Sequence, residues 1–229
     1  SARGLSILVL FDIDGTLLHG RPEGHTQAMV QAMAEVWGVP AVPDDIWRVE
    51  PAGRTDREIA RLVLRAHGVA DDLVDARTVE WMDLSVSIHD RVIALHAAPV
   101  AAPDADAVAT RLAHEGADLA LVTGNLEPIG RAKVAAAGLG HHFAPGGGGF
   151  GSDSELRADL VRLARERARE AHADHEVVVV GDTPRDIAAA RGAGVRVIGV
   201  TTGVHGTEAL ADADAVVPDL TGALAVLLA

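Results

Sequence analysis

Four short apolar runs constrain this fold more than anything else in the sequence: residues 5–11, 119–122, 177–180 and 195–200, each bounded by Gly, Asp or Thr and each the length of a strand buried on both faces. Helical patterns separate them, at 103–115, 127–137, 155–171 and 184–193, several with Pro or an acidic residue in the first turn. Strands alternating with helices predict an α/β fold, a doubly wound parallel sheet of Rossmann-like type. The rhythm breaks once, because roughly a hundred residues separate the first two runs where a crossover helix needs only about a dozen. Within that stretch Val30, Met33, Ala34 and Trp37 recur at helical spacing, as do Ile59, Leu62, Val63 and Ala66, and residues 72–97 supply one or two further helices. Residues 18–98 are therefore expected to form an all-helical cap over the carboxyl ends of the strands, inserted into an α/β core made of 1–17 and 99–229.

Composition narrows the partners. Hydrophobic residues make up 48% and aromatic residues only 3%, so the core is expected to be aliphatic and close-packed. A formal net charge of −13 argues against nucleic acid or an anionic membrane as partner, since the long-range field repels both. The run 5–11 is far too short to span a bilayer, and no small-residue cleavage site follows it. With no cysteine there is no disulfide and no thiolate chemistry, which fits a reducing cytoplasm. Ser1 reads as a processed or engineered end and carries no weight in the fold. The glycines at 146–149 read as a flexible loop; without Gly-Lys-Ser/Thr they are not a P-loop.

The chemistry collects where the apolar runs stop. The first ends in Phe11-Asp12-Ile13-Asp14-Gly15-Thr16, two carboxylates at alternate positions of a buried strand end. Anions so placed repel one another and are poorly solvated, so they call for a cation, and Mg²⁺ with its oxygen ligands is the natural one. The second run ends in Thr123-Gly124-Asn125, where the hydroxyl and nearby amides are candidate donors to a phosphate oxygen. The third ends in Gly181-Asp182-Thr183-Pro184-Arg185-Asp186. In a parallel sheet these ends share an edge, so Asp12, Asp14, Asp182 and Asp186 can converge as a metal-binding set. Pro184 suits a first helical residue, with Asp182 and Thr183 capping the helix behind it.

An Asp-x-Asp-Gly-Thr strand end, then a strand ending in Thr, then Gly-Asp-x-x-x-Asp resembles the haloacid dehalogenase superfamily over the whole chain, and the helical insertion resembles the cap of its phosphoglycolate phosphatase and phosphosugar mutase branch. The resemblance implies a Mg²⁺-dependent phosphatase acting on a small phosphorylated metabolite through an aspartyl-phosphate. By that resemblance Asp12 is the nucleophile and a Mg²⁺ ligand, and Asp14 the general acid and base whose carbonyl also binds the metal. Asp182 is then the acidic ligand, Asp186 holds metal waters, and Thr123, with Gly124 and Asn125, binds the phosphoryl group.

The family also places a cation beside the phosphoryl oxygens, normally a lysine that starts a helix. Here Arg157 stands at that position, and the chain's sole lysine, Lys133, lies in the helix after Thr123. Arg157 is the first choice, since a guanidinium supplies both charge and a bidentate grip. Lys133 is the runner-up, with a solvated helix face as its rival reading and, along a straight helix, a separation of about 15 Å from Thr123. Gly53-Arg54-Thr55-Asp56 resembles the cap loop that reaches into the site in related phosphatases, with Arg54 available to a substrate carboxylate or second phosphate; an Asp56 helix cap beside an exposed arginine is the competing reading. The eleven histidines show no ligand pattern, and His141, His142, His172 and His175 are expected at the surface. Trp37, Trp47 and Trp81 are expected in the cap core.

Among rivals, a dehalogenase needs no Mg²⁺ and typically lacks the second aspartate, and phosphonate cleavage needs a cap lysine that 18–98 does not contain. A phosphosugar mutase uses the same aspartates and differs chiefly in how well the cap excludes water. A non-catalytic binder of phosphorylated ligands has no use for the full aspartate set.

Overall fold

The computed structural model describes residues 5–20, 23–168 and 172–229. Its first strand, β1 (Leu8–Phe11), is buried along its whole length. The alternation of side chains across a strand sends Val9 and Phe11 into one apolar cluster and Leu8 and Leu10 into another. A run apolar at every position is what such a two-faced strand requires. The chain then passes through β2 (Leu18–His19), four helices α1 (Glu23–Trp37), α2 (Pro43–Arg48), α3 (Asp56–Ala66) and α4 (Asp71–Val92), and β3 (Val100–Ala101). There follow α5 (Ala105–His114), β4 (Asp118–Thr123), α6 (Glu127–Ala136), β5 (Gly149–Phe150), α7 (Arg157–Glu166), β6 (Val177–Gly181), α8 (Pro184–Ala193), β7 (Arg196–Val200), β8 (Ala215–Val217) and α9 (Leu220–Leu227).

Among the described residues the main sheet has six strands in the order β5-β4-β1-β6-β7-β8, with every pair parallel. Helices α5, α6 and α9 cover the face that carries Val9 and Phe11, and α7 and α8 cover the other. This is the expected doubly wound α/β fold. In the register Phe11 pairs with Leu121 on one side and Val180 on the other, so Asp12, Thr123 and Asp182 leave the sheet at nearly one level.

Four strands escaped the sequence reading: the short antiparallel pair β2 and β3, the first of them within the stretch expected to be all helical, and two strands of the main sheet. β8 is short and only half-buried, too weak an apolar signal to stand out. The glycines taken for a flexible loop end in β5, where Gly149 and Phe150 pair with Val122 and Thr123; the ladder to β4 fixes a backbone whose composition predicts freedom. The run expected at 5–11 is a strand only over Leu8–Phe11, and the helix expected at 155–171 runs over Arg157–Glu166, its last expected residues lying outside those described.

Between β2 and β3, which pair antiparallel as a two-stranded stem, α1 to α4 pack around a cluster of their own that includes Met29, Met33, Val63, Leu64, Trp81 and Ile88. Residues 72–97 resolve into one long helix, α4, closed by a 3₁₀ turn at Ile93–Leu95. Trp81 is fully buried and its indole donates to the Met29 carbonyl at 3.2 Å. Trp37 packs at the edge of the cluster. Trp47 departs from expectation: it is exposed on α2, because that helix is only six residues long and buries Ile46 alone. No helix among the described residues is long and apolar enough to cross a membrane.

Candidate active site at the carboxyl edge of the sheet

Local structure explains how each acidic side chain is held. Asp12 follows β1, and its amide still donates to Val180 O at 3.0 Å, extending the ladder one residue past the strand. Thr183 is the N-cap of α8, its hydroxyl accepting from Asp186 N at 3.2 Å. Asp186 answers with Oδ2, which accepts from Thr183 N at 3.0 Å and Thr183 Oγ1 at 2.7 Å, a capping box with Pro184 at the first helical position. The same aspartate offers Oδ1 to Arg157, so a helix-start device also anchors the site.

Asp12, Asp182 and Asp186 are all buried, and each contributes an oxygen within 4.8 Å of the others. Burial, and the repulsion of Asp186, Asp182 and Asp14, hold the Asp12 carboxyl well above the usual carboxylate range even against the attraction of Arg157. Burial and Asp186 push Asp182 up to about 7, with Arg157 and a 3.3 Å hydrogen bond from Thr16 Oγ1 only partly opposing them. The Asp182 carboxylate lies in a cradle that only glycine permits: a Cβ on Gly15 or on Gly203 would overlap it. Three crowded, buried, all-oxygen donors, with Asp12 and Asp182 resisting ionisation, fit a hard divalent cation, and Mg²⁺ suits them better than a soft metal.

Arg157, the first residue of α7, reaches into this cluster. Its Nη2 donates to Asp12 Oδ1 at 2.6 Å and to Asp186 Oδ1 at 2.5 Å, and its Nε donates to the same Asp186 oxygen at 2.9 Å. Lys133 departs from expectation. It is neither solvated nor remote: it is buried, and its Nζ donates to Asp14 at 2.8 and 3.1 Å and to Asn125 Oδ1 at 2.6 Å. A straight-line count from Thr123 misleads because α6 starts at Glu127, so Lys133 is only about 9 Å along the helix. Helical side chains also lean toward the amino terminus, here the end nearest the site.

Asn125 joins the two halves of the site, donating from Nδ2 to Asp14 Oδ2 at 2.8 Å and to Thr123 Oγ1 at 2.9 Å. Thr123 Oγ1 also accepts from Asn125 N at 3.3 Å, which occupies both lone pairs and leaves the hydroxyl proton for an incoming oxygen. Burial works to raise Asp14, but Lys133 and Asn125 overcome it and hold the carboxyl below its usual range.

Arg54 does not reach the carboxylates. Its guanidinium turns back into its own loop, donating to Val49 O at 2.9 Å and Glu50 O at 3.2 Å and pairing with Glu58. The main chain makes the approach instead: Asp56 N donates to Gly124 O at 2.8 Å, and a Cβ on Gly124 would collide with the carbonyl of Arg54. Gly124 is thus a seat for this loop. Arg185 Nη1 donates to Ala52 O at 2.7 Å and Thr55 Oγ1 to Glu155 O at 3.2 Å, so the segment 51–56 is tied to three loops of the sheet edge. Thr55, not Asp56, caps α3. Asp56 is buried, accepting from Leu126 N at 2.7 Å and from His25 Nε2 at 2.9 Å.

The histidines are less uniform than the sequence implied. His141 is exposed, whereas His142 is tucked in and donates to Asp106 Oδ1 at 2.8 Å; the three form a second cluster with oxygen and nitrogen atoms within 4.8 Å of one another. His172 is buried, 3.5 Å from Asp118, and the His175 side chain lies outside the described residues. His25 and His89 were missed. The signal was there for His89: polar Thr78 and Ser85 fall on the buried stripe of α4 with Val74, Trp81 and Ile88, which marks that face as more than apolar filler.

A family model for haloacid dehalogenase-like hydrolases matches residues 8–194. A phosphoserine phosphatase of Thermus thermophilus is 34% identical over 123 residues, 52% of this chain but only 47% of that protein, so the matched stretch is about half the length of that relative. A probable phosphatase of Dickeya dadantii, IndB, is 27% identical over 223 residues, 90% of this chain and 86% of its own. The crystal structure of a hydrolase from Pseudomonas syringae superposes with a TM-score of 0.69 at 20% identity, covering 97% of this chain and 98% of that one, a likeness of fold.

Proposed function

Because this chain belongs to the haloacid dehalogenase-like hydrolases and is a phosphatase, we propose that it hydrolyses a small phosphate monoester by in-line attack of Asp12, through an aspartyl-phosphate, with Mg²⁺ as cofactor. The observation that carries this reading is the convergence of Asp12, Asp182 and Asp186 at one level of the sheet edge, with Arg157 gripping Asp12. Asp12 and Asp182, with the carbonyl of Asp14, would hold the ion, and Asp186 would hold its waters. When bound, Mg²⁺ supplies the positive charge that lets a phosphate dianion approach these carboxylates.

Arg157 fixes Asp12 through Oδ1, so the attacking lone pair belongs to Oδ2, and the guanidinium lies beside the transferred phosphoryl group. Thr123 donates its free hydroxyl proton to a phosphoryl oxygen. Asp14 first gives a proton to the leaving alkoxide and then takes one from the water that attacks the acyl phosphate. Lys133 and Asn125 stabilise the anionic form of Asp14, the form that second step needs. The helical unit between β2 and β3 acts as the cap, its loop 51–56 closing over the strand ends and excluding water. A cysteine-free sequence fits a reducing cytoplasm as its compartment.

The test is phosphate release from an aryl phosphate monoester with Mg²⁺, with and without excess chelator, in wild type and Asp12→Asn. Activity that survives chelator, or an Asp12→Asn variant that turns over at more than a small fraction of the wild-type rate, removes this mechanism. Phosphate release measured beside isomer conversion on a sugar phosphate separates the phosphatase from a mutase.

A further inference from the structure

Asp106, His141 and His142 form a metal-ligating group of their own, separate from the aspartates at the strand ends: one carboxylate oxygen and two ring nitrogens lie within 4.8 Å of one another. The chain assembles them from two places. Asp106 stands in the first turn of α5, and the two histidines end a 3₁₀ turn, Gly140–His142, that follows α6. His142 is walled in, its side chain 6% exposed and its ring edge-to-face with Phe143, whose ring meets Phe11 in the same way. His141 and Asp106 are exposed over 64% and 65% of their side chains, so the group opens to solvent.

Hydrogen bonding accounts for only part of this arrangement. His142 Nε2 donates to Asp106 Oδ1 at 2.8 Å, but His141 Nε2 stops 3.6 Å from the same oxygen, too far for a hydrogen bond. The two rings stack with centroids 3.9 Å apart and a tilt of 40°, and both bring Nε2 toward that one oxygen. Ligand atoms about 2.1 Å from a tetrahedral ion lie about 3.4 Å from one another, a spacing between the two observed. We propose that Asp106, His141 and His142 form a second cation site, for a transition ion of the Zn²⁺ class, with water completing the shell. Imidazole nitrogen suits such ions and not Mg²⁺, whereas the all-oxygen set of Asp12, Asp182 and Asp186 suits Mg²⁺. The two sites therefore sort metals by donor chemistry. The net charge of −13 draws cations to the surface. Held there, the ion ties the chain leaving α6 to the start of α5, a clamp on the fold that takes no part in the reaction.

The experiment titrates Zn²⁺ into the full chain in millimolar Mg²⁺, by calorimetry, for wild type, His141→Ala and Asp106→Asn. Both substitutions fall on exposed side chains, which the fold tolerates. Wild type should bind one more equivalent of Zn²⁺ than either variant, or bind it at least about tenfold more tightly, since even an outer partner of a metal ligand is worth that much. Zn²⁺ should also raise the melting temperature of wild type by more than that of either variant. Cu²⁺ gives an independent reading: its paramagnetic resonance should show two nitrogen ligands in wild type and one in His141→Ala, a signature that an oxygen-only site does not produce. Without Zn²⁺, Mg²⁺-supported turnover should be the same in all three proteins. Coinciding isotherms, or Cu²⁺ without coupling to two nitrogens, would overturn the site. Equal melting shifts in the three proteins would overturn the clamp, and a turnover loss in the variants without Zn²⁺ would overturn its separation from the reaction.

Discussion

Replacing Lys133 by methionine keeps a long unbranched chain in the buried channel and deletes only the charge. Three hydrogen bonds go with it, at 2.8 and 3.1 Å to Asp14 and 2.6 Å to Asn125. Removing one partner of a fully buried pair costs about 3–5 kcal/mol, but the Asp14 side chain is 36% exposed, so water recovers part of this. A loss of about 2 kcal/mol is expected. The proton linkage has a definite sign. Lys133 holds Asp14 below its usual range, so the stability it confers is fully present above the unfolded carboxylate value and is lost as pH falls through the lowered folded value. The stability gap between wild type and Lys133→Met should therefore narrow in acid. Activity should respond in the same direction: without the ammonium Asp14 binds its proton more tightly, and the acidic limb of kcat, which reports the base that takes a proton from the attacking water, should move up. Turnover near pH 7 should fall about tenfold, within the range for a disturbed general acid and base. Chemical denaturation at pH 7 and pH 3, together with turnover of an aryl phosphate monoester from pH 4 to 8, reads both effects. A variant that loses stability but keeps the wild-type limb and turnover would show that Lys133 supports the fold and does nothing for Asp14.

Other residues give sharper yes-or-no tests. Asp12→Asn should release no phosphate, yet it should melt higher than wild type in chelator at pH 7, because a carboxyl held above its usual range is destabilising when ionised; a lower melting point would refute that electrostatic account. Wild type should lose about 1–2 kcal/mol relative to His89→Leu between pH 7 and pH 4, since the unfolded chain protonates this ring near 6.5 and the folded chain only near 4, with solvent screening taking part of the full shift; parallel stability curves would contradict it. Gly124→Ala puts a methyl group against the Arg54 carbonyl and should cut kcat/KM at least about tenfold, with faster proteolysis of 51–56, and normal turnover would show that the loop need not sit there. Trp81→Ala should cost about 3–5 kcal/mol, because the ring is fully buried in the helical cluster and its indole donates to Met29 O; calorimetry would expose a smaller loss.

The sequence by itself determined the elements whose physics is local or periodic. Unbroken apolar runs can only be strands covered on both faces, so β1, β4, β6 and β7 and the doubly wound sheet were legible, and with them the shared edge that gathers Asp12, Thr123, Asp182 and Asp186. Arg157 was reached through the family resemblance, which puts a cation where a helix starts, and α7 does start at that residue. The tertiary structure alone decided the rest, because direction and burial are properties of packing. Lys133 was indistinguishable from a surface lysine until α6 was laid against the sheet with its amino end at the site. Arg54 carried the right charge, but its own loop supplies acceptors closer than the cluster does. His25 and His89 share no spacing with Asp14 or Lys133; only the return of the chain from β2 through α4 to β3 brings them to one pocket, and no pattern within a helix encodes which foreign side chains its buried face will meet.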